Sequence, residues 1–316
     1  MFSGMCYGRN MAQPIPELMN TRQVARYLGI NEKKVYALAK ARKIPCTRVT
    51  GKWTFPRKLI DSWIEQSSVS PQIREPRREE RPFLLAAGSD DPSLGVLREL
   101  FEEQTKPASL FLNTIGSSGG LTAVRDGIAD LATSHILDPA SGEYNLPFVK
   151  NLLGEKAVVV QLFHRQLGLV VAPGNPMKLR AIADLARPKV RIINRQTGSG
   201  TRLYLDQTLA RLKINSRKLN GYQMSVATHA EVGFRVLRGE VDTGLATMTT
   251  ARMLGLDFVS LAHERFDAVI PQERFFSPAI QILLSVVGSR EFRGRLEIMG
   301  GYDSAESGRI VYMSDR

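Results

Sequence analysis

The segment VRIINRQTGSGTRLYLDQTLARL, residues 190–212, contains a strand-like apolar run, a short polar loop and an amphipathic run in succession. The loop residues Gly198–Arg202 stand where the predicted helix begins. Free backbone amides and the helix dipole at such a point favour an anion. Glycines permit close approach, hydroxyls add donors, and an arginine can clamp two oxygens at once. The segment therefore predicts a strand–loop–helix unit with an anion-binding loop.

Similar units precede this segment. The predicted strands are FLLAAG (83–88), SLFLNTIG (109–116) and IADLATSHI (128–136), and the predicted helices are SDDPSLGVLRELFEE (89–103) and the run that SSGG (117–120) opens. Strands that alternate with helices predict an α/β sheet. Ligands of such sheets lie beyond the carboxyl ends of the strands, where the helices start. Gly88–Asp90 and Gly116–Ser118 occupy such positions.

The remaining part of the chain continues the alternation. The predicted strands are AVVVQLFH (157–164), LGLVVAPGN (167–175), VRIIN (190–194), VDTGLATM (241–248), DFVSL (257–261) and DAVIP (267–271), and the predicted helices are MKLRAIADLA (177–186), LYLDQTLARL (203–212) and HAEVGFRVLRGE (229–240). The last helix follows Thr228, which is a suitable cap. This order extends the α/β pattern over most of the chain.

Positive charge is concentrated in the first quarter of the chain. The net charge is +12, and residues 1–82 hold 16 Lys and Arg against 7 Asp and Glu, whereas the remainder holds 27 against 24. A small basic module joined to a nearly neutral larger one indicates that the first module binds a polyanion. The alternative is an inert basic tail, and the organised pattern described below argues against it.

The cysteines and apolar runs indicate the compartment. Cys6 and Cys46 match no metal or disulfide framework, which favours a reduced compartment. No apolar run approaches membrane-spanning length, and the first residues lack the apolar core of a secretory signal. The sequence therefore predicts a cytoplasmic protein. Residues 1–16 are predicted to be a disordered leader, with Met11 or Met19 as alternative starts.

Two short helices are predicted after this leader. Asn20 or Thr21 can cap the first helix, Gly29 ends it, and Asn31 caps the second. The residues predicted to face inward are Val24, Ala25, Leu28, Val35, Leu38 and Ala39. The residues left for the outer face of the second helix are Lys33, Lys34, Tyr36 and Lys40. Two helices joined by a tight turn form a helix-turn-helix pattern, whose second helix enters the major groove of DNA.

A hairpin and a closing helix are predicted next, over residues 44–64. Cys46–Val49 and Trp53–Phe55 alternate around a Thr-Gly-Lys turn, where Arg48 and Lys52 suit phosphate contacts. The helix over 57–64 is predicted to cover the hairpin. The side chains predicted to do so are Leu59, Ile60 and Trp63.

The stretch MNTRQVARYLGINEKKVYALAKARKIPCTRVTGKWTFPRKLIDSWI resembles the excisionase-type, MerR-like winged helix-turn-helix over residues 18–66. The resemblance implies DNA binding by Lys33, Lys34, Tyr36, Lys40, Arg48 and Lys52. Gln23 and Lys43 depart from the family's usual Glu and Gly, and neither disrupts the helical pattern. The alternative is a small helical domain for protein contacts, which the basic surface disfavours.

Residues 67–82, SSVSPQIREPRREERP, combine three prolines with dense charge of both signs, which is typical of a linker. The predicted organisation is therefore a leader (1–16), a winged helix-turn-helix (17–66), a linker (67–82) and a larger α/β domain (83–316).

The larger domain resembles the type II periplasmic-binding-protein fold, with two α/β lobes and two crossovers. The marks of this resemblance are GSSGGLTAVRDGIADLATSHILD, LGLVVAPGNP, NRQTGSGTR, THAEVGFRVLRGEVDTGLA and LAHERFDAVIP. They resemble a domain that is fused to helix-turn-helix modules or to molybdopterin-biosynthesis proteins. Phe266 and Ala268 depart from that domain's usual Tyr and Leu, so a ligand contact through that tyrosine hydroxyl is excluded here.

Related proteins hold molybdate or tungstate between the lobes with hydroxyl and backbone donors, sometimes with arginine. The resemblance implies ligand contacts from Ser89, Ser117, Ser118, Ser199, Thr201, Arg202 and Thr228, with Tyr144–Asn145 as a weaker candidate lining. Other interpretations stay open at this point. Ser89 and Thr228 can be helix caps only, Gly116–Ser118 a turn only, and Arg202 an ion-pair partner on its own helix.

Catalytic and nucleotide sites are disfavoured. The glycine loop lacks the Lys-Ser/Thr ending of a P-loop and the G-x-G-x-x-G spacing. No nucleophile–base set is recognisable, and His135 and His229 are isolated histidines rather than a metal motif.

The sequence thus predicts a ligand-responsive, DNA-binding transcription regulator that is not an enzyme. The predicted effector is a small oxyanion, molybdate or tungstate, with no cofactor required. A dimer or higher homo-oligomer on double-stranded operator DNA is expected, since one short module reads few base pairs. The alternatives are an intracellular binding protein or an enzyme of molybdenum-cofactor metabolism that recognises a molybdopterin-type ligand.

Overall fold

The computed structural model describes residues 16–48, 51–67, 83–154 and 156–313. These residues form two compact units, one on each side of the 68–82 segment. The predicted leader and linker lie almost wholly outside the described residues, so their boundaries stay predictions.

The first unit is a small helical domain with a short sheet. Its elements are β1 (Leu18–Asn20), α1 (Thr21–Leu28), α2 (Glu32–Lys40), β2 (Thr54–Pro56) and α3 (Arg57–Ser67). The side chains of Asn20 and Asn31 accept the amides of Gln23 and Lys34, and Gly29 ends α1 in the left-handed conformation. Both predicted helices and their caps are confirmed. The core consists of Met19, Val24, Ala25, Val35, Ala39, Ile44, Phe55 and Ile60.

The prediction for the segment after α2 holds in part. Thr47 and Thr54 exchange two backbone hydrogen bonds of 2.8 and 2.9 Å, as the hairpin prediction requires, and β2 also pairs antiparallel with β1, a partner that this prediction did not include. The hairpin positions 49 and 50 lie outside the described residues. Leu59 does not cover the hairpin, because it is 53% exposed, whereas Ile60 on the same helix is buried.

The second unit carries the remaining elements. Its strands are β3 (Phe83–Gly88), β4 (Ser109–Thr114), β5 (Leu131–Ser134), β6 (Ala157–Val171), β7 (Ile192–Arg195), β8 (Ser225–Val226), β9 (Thr243–Thr247), β10 (Asp257–Pro271), β11 (Tyr302–Asp303) and β12 (Ile310–Met313). Its α-helices are α4 (Ser93–Thr105), α5 (Gly116–Arg125), α6 (Leu146–Leu153), α7 (Gly200–Arg211), α8 (His229–Leu237), α9 (Met248–Met253), α10 (Gln272–Phe275), α11 (Pro278–Val287) and α12 (Arg290–Met299).

The sheet order divides this unit into two lobes of the same design. The strands run β4-β3-β5-β10-β6-β9-β7-β8, with β11 and β12 added along β6. Lobe one contains the parallel strands β3, β4 and β5, and lobe two contains the parallel strands β7, β8 and β9. In each lobe the first strand lies between the second and the third. The third strand then pairs antiparallel with a long strand, β10 in lobe one and β6 in lobe two.

Strands β6 and β10 join the lobes. They pair antiparallel from Asp257–Val171 to Pro271–Ala157, with irregularities at Ser260/Ala262 and Phe266/Asp267. The sequence divides each of them into two apolar runs, whereas the structure has one continuous strand of 15 residues in each case. The expectation of two separate strands was wrong because the polar residues between the runs continue the ladder where the chain crosses between lobes. These strands are the two predicted crossovers.

The helix predicted over 177–186 is also corrected. Only Ile182–Ala186 is helical, as a short 3-10 turn whose Asp184 accepts the amides of Arg180 and Ala181. Its apolar residues instead join the lobe-two core: Leu179, Ile182 and Leu185 are buried with Leu167, Leu169 and Leu205. Each lobe has apolar clusters that pack its helices on the sheet, and the polar residues described next lie between the lobes.

Candidate interlobe binding site

The two lobes touch through their helix starts. The Ser118 amide at the start of α5 donates to the Gly198 carbonyl of lobe two at 3.3 Å. The His229 amide at the start of α8 donates to Asp90 Oδ2 of lobe one at 2.8 Å. Both loops follow the carboxyl ends of strands, where ligands of α/β sheets lie. The predicted site loops of the two lobes therefore face one another.

Two glycines make this approach possible. A Cβ at Gly116 would lie 3.0 Å from the Gly198 carbonyl oxygen, and Gly116 has a φ of +78°. A Cβ at Gly200 would lie 2.6 Å from Cε1 of the His135 ring. A side chain at either position would push the lobes apart. The glycines of the loop thus serve contact between the lobes.

The lobe-one serines predicted from the sequence form a small buried group. Ser89 Oγ lies 3.1 Å from Ser117 Oγ, and Ser117 Oγ accepts the amide of His135 at 3.3 Å. Ser89 and Ser117 are buried, and Ser118 is half-buried. Ser89 is not the cap of α4, because that helix begins only at Ser93. These three residues are brought together, as a shared ligand site requires.

Two of the predicted lobe-two hydroxyls cap helices, and a third has no hydrogen-bond partner among the described residues. Ser199 Oγ accepts the Arg202 amide and Thr228 Oγ1 accepts the Glu231 amide, so both residues cap their helices. Thr201 is 1% exposed, and within the described part of the chain its Oγ1 has no hydrogen-bond partner. Thr201 therefore retains a buried hydroxyl for another group.

Arg202 has partners within lobe two. Its Nε lies 3.2 Å from both carboxylate oxygens of Asp206, one turn along α7, and its guanidinium lies 4.2 Å from the centre of the Tyr222 ring. Its side chain is 12% exposed. The ion-pair interpretation left open by the sequence matches these contacts, and a ligand contact by Arg202 stays a prediction.

A second arginine, Arg165 on β6, lies in a buried charged network. Its Nη1 is 2.7 Å from Asp91 Oδ2 and 3.1 Å from the Asp90 carbonyl oxygen, and its Nε is 3.1 Å from Glu264 Oε2. The guanidinium lies 4.5 Å from the centre of the Phe266 ring. Burial opposes ionisation, but Glu264 and Asp91 hold the Arg165 pKa above its usual value. Its Nη2 has no partner among the described residues.

A third arginine, Arg195 at the end of β7, is 2% exposed. Its Nη2 donates to the Ala227 carbonyl oxygen at 2.7 Å, but Nε and Nη1 have no partner in the described ranges. Burial lowers the Arg195 pKa to about 10, with Asp90 opposing the shift and Arg165 adding to it. Leaving two donors of a buried guanidinium unpaired is costly. Such an arrangement is typical of a guanidinium whose free donors bind acceptor atoms of a ligand.

Two histidines, His135 and His229, are buried as well. His135 Nδ1 lies 3.2 Å from Glu264 Oε1 without hydrogen-bond alignment, and neither ring nitrogen of His229 has a partner among the described residues. Burial lowers the pKa of both, with Glu264 opposing the shift for His135 and Arg195 adding to it for His229. Both imidazoles are therefore neutral at neutral pH. The described residues contain no group of three or more His, Cys, Asp or Glu side chains that could hold a metal.

Sequence reasoning missed Arg165, Arg195 and Glu264 as site residues. The signal for Arg165 and Arg195 is a charged residue within, or at the end of, a predicted strand that is mostly apolar: HRQ within AVVVQLFHRQLGLVV, and Arg195 directly after VRIIN. Charged side chains are almost never fully buried unless they are paired or functional. Phe266, noted as a departure from the resembling domain, lies against both Arg165 and His135.

The first unit presents its predicted contact residues to solvent. Lys33, Lys34, Tyr36 and Lys40 are all exposed along α2, while Val35 and Ala39 face the core. Arg48 and Lys52 are exposed as well, and Arg48 Nε donates to the Gly51 carbonyl at 2.9 Å. The basic side chains thus lie on the outer side of the second helix and beside the turn.

Comparison with known families identifies both units. Residues 18–68 match the model of a helix-turn-helix domain, and residues 98–288 match the model of a PBP superfamily domain. The chain belongs to the PBP superfamily. The predicted fold class, a winged helix-turn-helix followed by a two-lobed binding-protein domain, is confirmed by these matches and by the sheet order.

Relatives and solved structures agree with this assignment. YvgK, an uncharacterized protein of Bacillus subtilis (strain 168), is 27% identical over 92% of this chain and 96% of its own length. A Clostridium perfringens protein assigned as a phosphate ABC transporter substrate-binding protein, solved with bound phosphate, superposes with a TM-score of 0.55 at 15% identity, covering 70% of this chain and 98% of its own. A tungstate ABC transporter from Geobacter sulfurreducens gives 0.50 at 11% identity, covering 68% and 98%. At these identities the structures show a common fold.

A helix-turn-helix domain joined to a binding-protein domain is the organisation of a ligand-binding, DNA-binding regulator. No helix among the described residues is long and apolar enough to cross a membrane.

Proposed function

We propose that this PBP superfamily protein is a cytoplasmic transcription regulator that senses a small oxyanion between its lobes. The helix-turn-helix binds double-stranded operator DNA, and a homodimer supplies two such modules. The protein performs no catalytic step and requires no cofactor. The proposed ligand contacts are Arg165 and Arg195, together with the sequence-predicted Ser89, Ser117, Ser118, Ser199, Thr201, Arg202 and Thr228.

The observation that carries this proposal is the buried guanidinium of Arg195. Two of its donors have no partner within the described ranges, although the side chain is 2% exposed. Nε and Nη1 lie on different edges of the planar guanidinium, and each edge also carries an Nη2 hydrogen, so an oxyanion would accept from one of these two-donor edges. Thr201 Oγ1 and Arg165 Nη2 are also buried without a described partner.

The balance of donors and acceptors favours an anion over a neutral or cationic ligand. Both carboxylate oxygens of Asp91 are engaged, by Arg165, Ser93 and Tyr302. Asp90 accepts the His229 amide, and Glu264 accepts from Arg165. The unpaired groups are therefore mainly donors, and an anion with several acceptor oxygens would pair them.

Molybdate and tungstate are the first ligands to test, with phosphate beside them. Tetrahedral oxyanions offer four acceptor oxygens to a set of hydroxyl, amide and guanidinium donors. One solved structure with this fold holds bound phosphate, and another belongs to a tungstate ABC transporter. Ligand control of DNA binding requires different ligand contacts in open and closed lobes. The Ser118–Gly198 and His229–Asp90 hydrogen bonds exist only when the lobes touch, so a ligand that bridges the lobes would favour this state.

A thermal-shift panel on the full chain tests the proposal, using molybdate, tungstate, phosphate and sulfate with chloride as the control. We expect at least one oxyanion to stabilise the protein by about 2.7 kcal/mol at a hundredfold excess over its dissociation constant. If none changes either the melting temperature or the affinity for DNA, the oxyanion assignment is wrong. Molybdopterin-type compounds then become the ligand class to test.

Lys34→Ala is expected to weaken DNA binding without affecting the ligand site. Lys34 is exposed on α2, and loss of one phosphate contact should weaken binding and lower the salt dependence of the affinity by about one counterion. Fluorescence anisotropy with duplex DNA at several salt concentrations measures both quantities. Lys189→Ala, an exposed lysine of the second unit, is the matched control for net charge. An unchanged salt slope for Lys34→Ala would place the DNA contact on another face.

A further inference from the structure

His229 occupies an unusual position at the start of α8. Its backbone amide donates to Asp90 across the lobes, while its side chain is 0% exposed and both ring nitrogens lack a partner among the described residues. A neutral imidazole needs one donor and one acceptor partner to be satisfied. Its polar atoms are therefore buried at a cost that no contact in the described protein offsets.

The charges around His229 come from several elements. Arg195 on β7, Arg165 on β6 and His135 after β5 all lower its pKa, in addition to burial. Asp90, after β3, binds the backbone amide, and Glu231 on α8 itself bonds to the amides of Ala227 and Thr228. The protonated form is thus opposed first by burial and then by the two arginine charges. A negative charge held by those arginines would remove the second of these effects.

The charges already present at this site disfavour the binding of a dianion alone. The charges of Arg165 and Arg195 face the buried carboxyl groups of Asp91 and Glu264 and the half-buried carboxyl group of Asp90. Adding two negative charges to a buried cluster in which acidic groups already outnumber cations is unfavourable. Burial already raises the Asp90 pKa, and the His229 amide opposes that shift. A proton taken up with the anion would reduce the added negative charge from two to one.

We propose that binding of an oxyanion at this site is coupled to uptake of one proton by the imidazole of His229, which then donates to the anion. The inference rests on the proposed oxyanion-sensing function and specifies its regulation. The sensor then responds to pH as well as to its ligand. Affinity for the anion rises as the pH falls.

The direction of this pH dependence follows from the linkage between anion binding and protonation of His229. Without ligand the His229 pKa lies well below its ordinary value, because of burial and the arginines. With the anion in place its pKa is higher, since the charged imidazole gains an acceptor and a counter-charge. Between these two pKa values the affinity rises about tenfold for each unit of decrease in pH. Above the higher value the affinity is independent of pH.

His229 is a better proton acceptor than His135 for this coupling. His135 Nδ1 already lies 3.2 Å from Glu264 Oε1, so a proton there pairs with a carboxylate that is present without ligand. His135 also stacks on Phe266, with ring centres 5.7 Å apart. His229 has no such counter-charge on its side chain within the described ranges.

Titration calorimetry of the full chain with molybdate or tungstate, in two buffers of different ionisation enthalpy, measures the proton uptake. These anions carry no proton near neutral pH, so the protein must take up any proton that is bound. We expect about one proton per bound anion at a pH between the two His229 pKa values. His229→Gln, which can donate but cannot be protonated, should bind with no proton uptake and with a pH-independent affinity.

Variants of the neighbouring groups assign the proton. His135→Gln and Asp90→Asn should retain the uptake, and proton uptake that persists in His229→Gln overturns the assignment. Binding by the wild-type protein without proton uptake across pH 5–8 also overturns this inference, while leaving the oxyanion function intact. If neither anion binds in any buffer, the proposed function is what fails.

Discussion

Arg195→Met is expected to abolish stabilisation by oxyanions while leaving the ligand-free protein at least as stable as the wild type. Methionine has a similar reach but no donors, so it removes the two unpaired guanidinium nitrogens that the fold buries. The lost contacts to the anion are charge-assisted hydrogen bonds worth about 1.5–3 kcal/mol each. Two of them correspond to a loss in affinity of about 100-fold or more. Thermal shift and calorimetry on the same samples measure both quantities.

Arg202→Met is the matched control on the same loop. In the structure Arg202 Nε pairs with Asp206 and the guanidinium stacks on Tyr222, so Arg202 already has a counter-charge, whereas the Arg195 guanidinium has two buried nitrogens without a described partner. We expect its effect on anion affinity to be clearly smaller than that of Arg195→Met. A larger effect of Arg202→Met would transfer the main ligand contact to Arg202, as the sequence alone predicted. A ligand-free Arg195→Met protein that unfolds would show that Arg195 has a structural role.

Much of this fold could be predicted from residues that lie close together in the sequence. Asn31 and Thr228 stand directly before helices and accept the amides that caps are expected to accept. The strand at 83–88 has the predicted bounds. Such features depend on residues within a few positions of one another, and a single sequence contains that information.

The parts that could not be predicted depend on residues distant in the chain. In the sequence, β6 and β10 each appear as two separate apolar segments, because polar residues in the region between the lobes interrupt their apolar pattern. The Arg165 partners Asp91 and Glu264 lie 74 and 99 positions away. The position of Arg195 directly after VRIIN is compatible with burial, but the sequence around it does not show that Arg195 has unpaired donors while Arg202 pairs with Asp206. The loop was recognisable as a binding element, whereas the choice between its two arginines required the tertiary structure.

Asp91→Ala is expected to destabilise the second unit by about 3–5 kcal/mol, because removal of one partner leaves a buried charge uncompensated. Asp91 Oδ2 is 2.7 Å from Arg165 Nη1, and Oδ1 accepts the Tyr302 hydroxyl at 2.7 Å and the Ser93 amide at 2.8 Å. These contacts connect the loop after β3, the crossing strand β6 and β11. Alanine would remove this acceptor from the Tyr302 hydroxyl and the Ser93 amide, and it would leave the Arg165 charge with Glu264 as its carboxylate partner in a buried site.

Chemical unfolding followed by two probes separates this effect from a general loss of stability. Both tryptophans, Trp53 and Trp63, belong to the first unit, so their fluorescence is an internal control, while far-ultraviolet circular dichroism follows mainly the larger unit. Asp91→Ala should move the dichroism transition to lower denaturant and leave the fluorescence transition in place. Asp126→Ala removes an ion pair that is about half exposed, with Arg125 at 2.8 Å, and should change neither. If Asp91→Ala behaves like Asp126→Ala, the Arg165 network does not hold the lobes together, and Arg165 is free to bind an anion without Asp91.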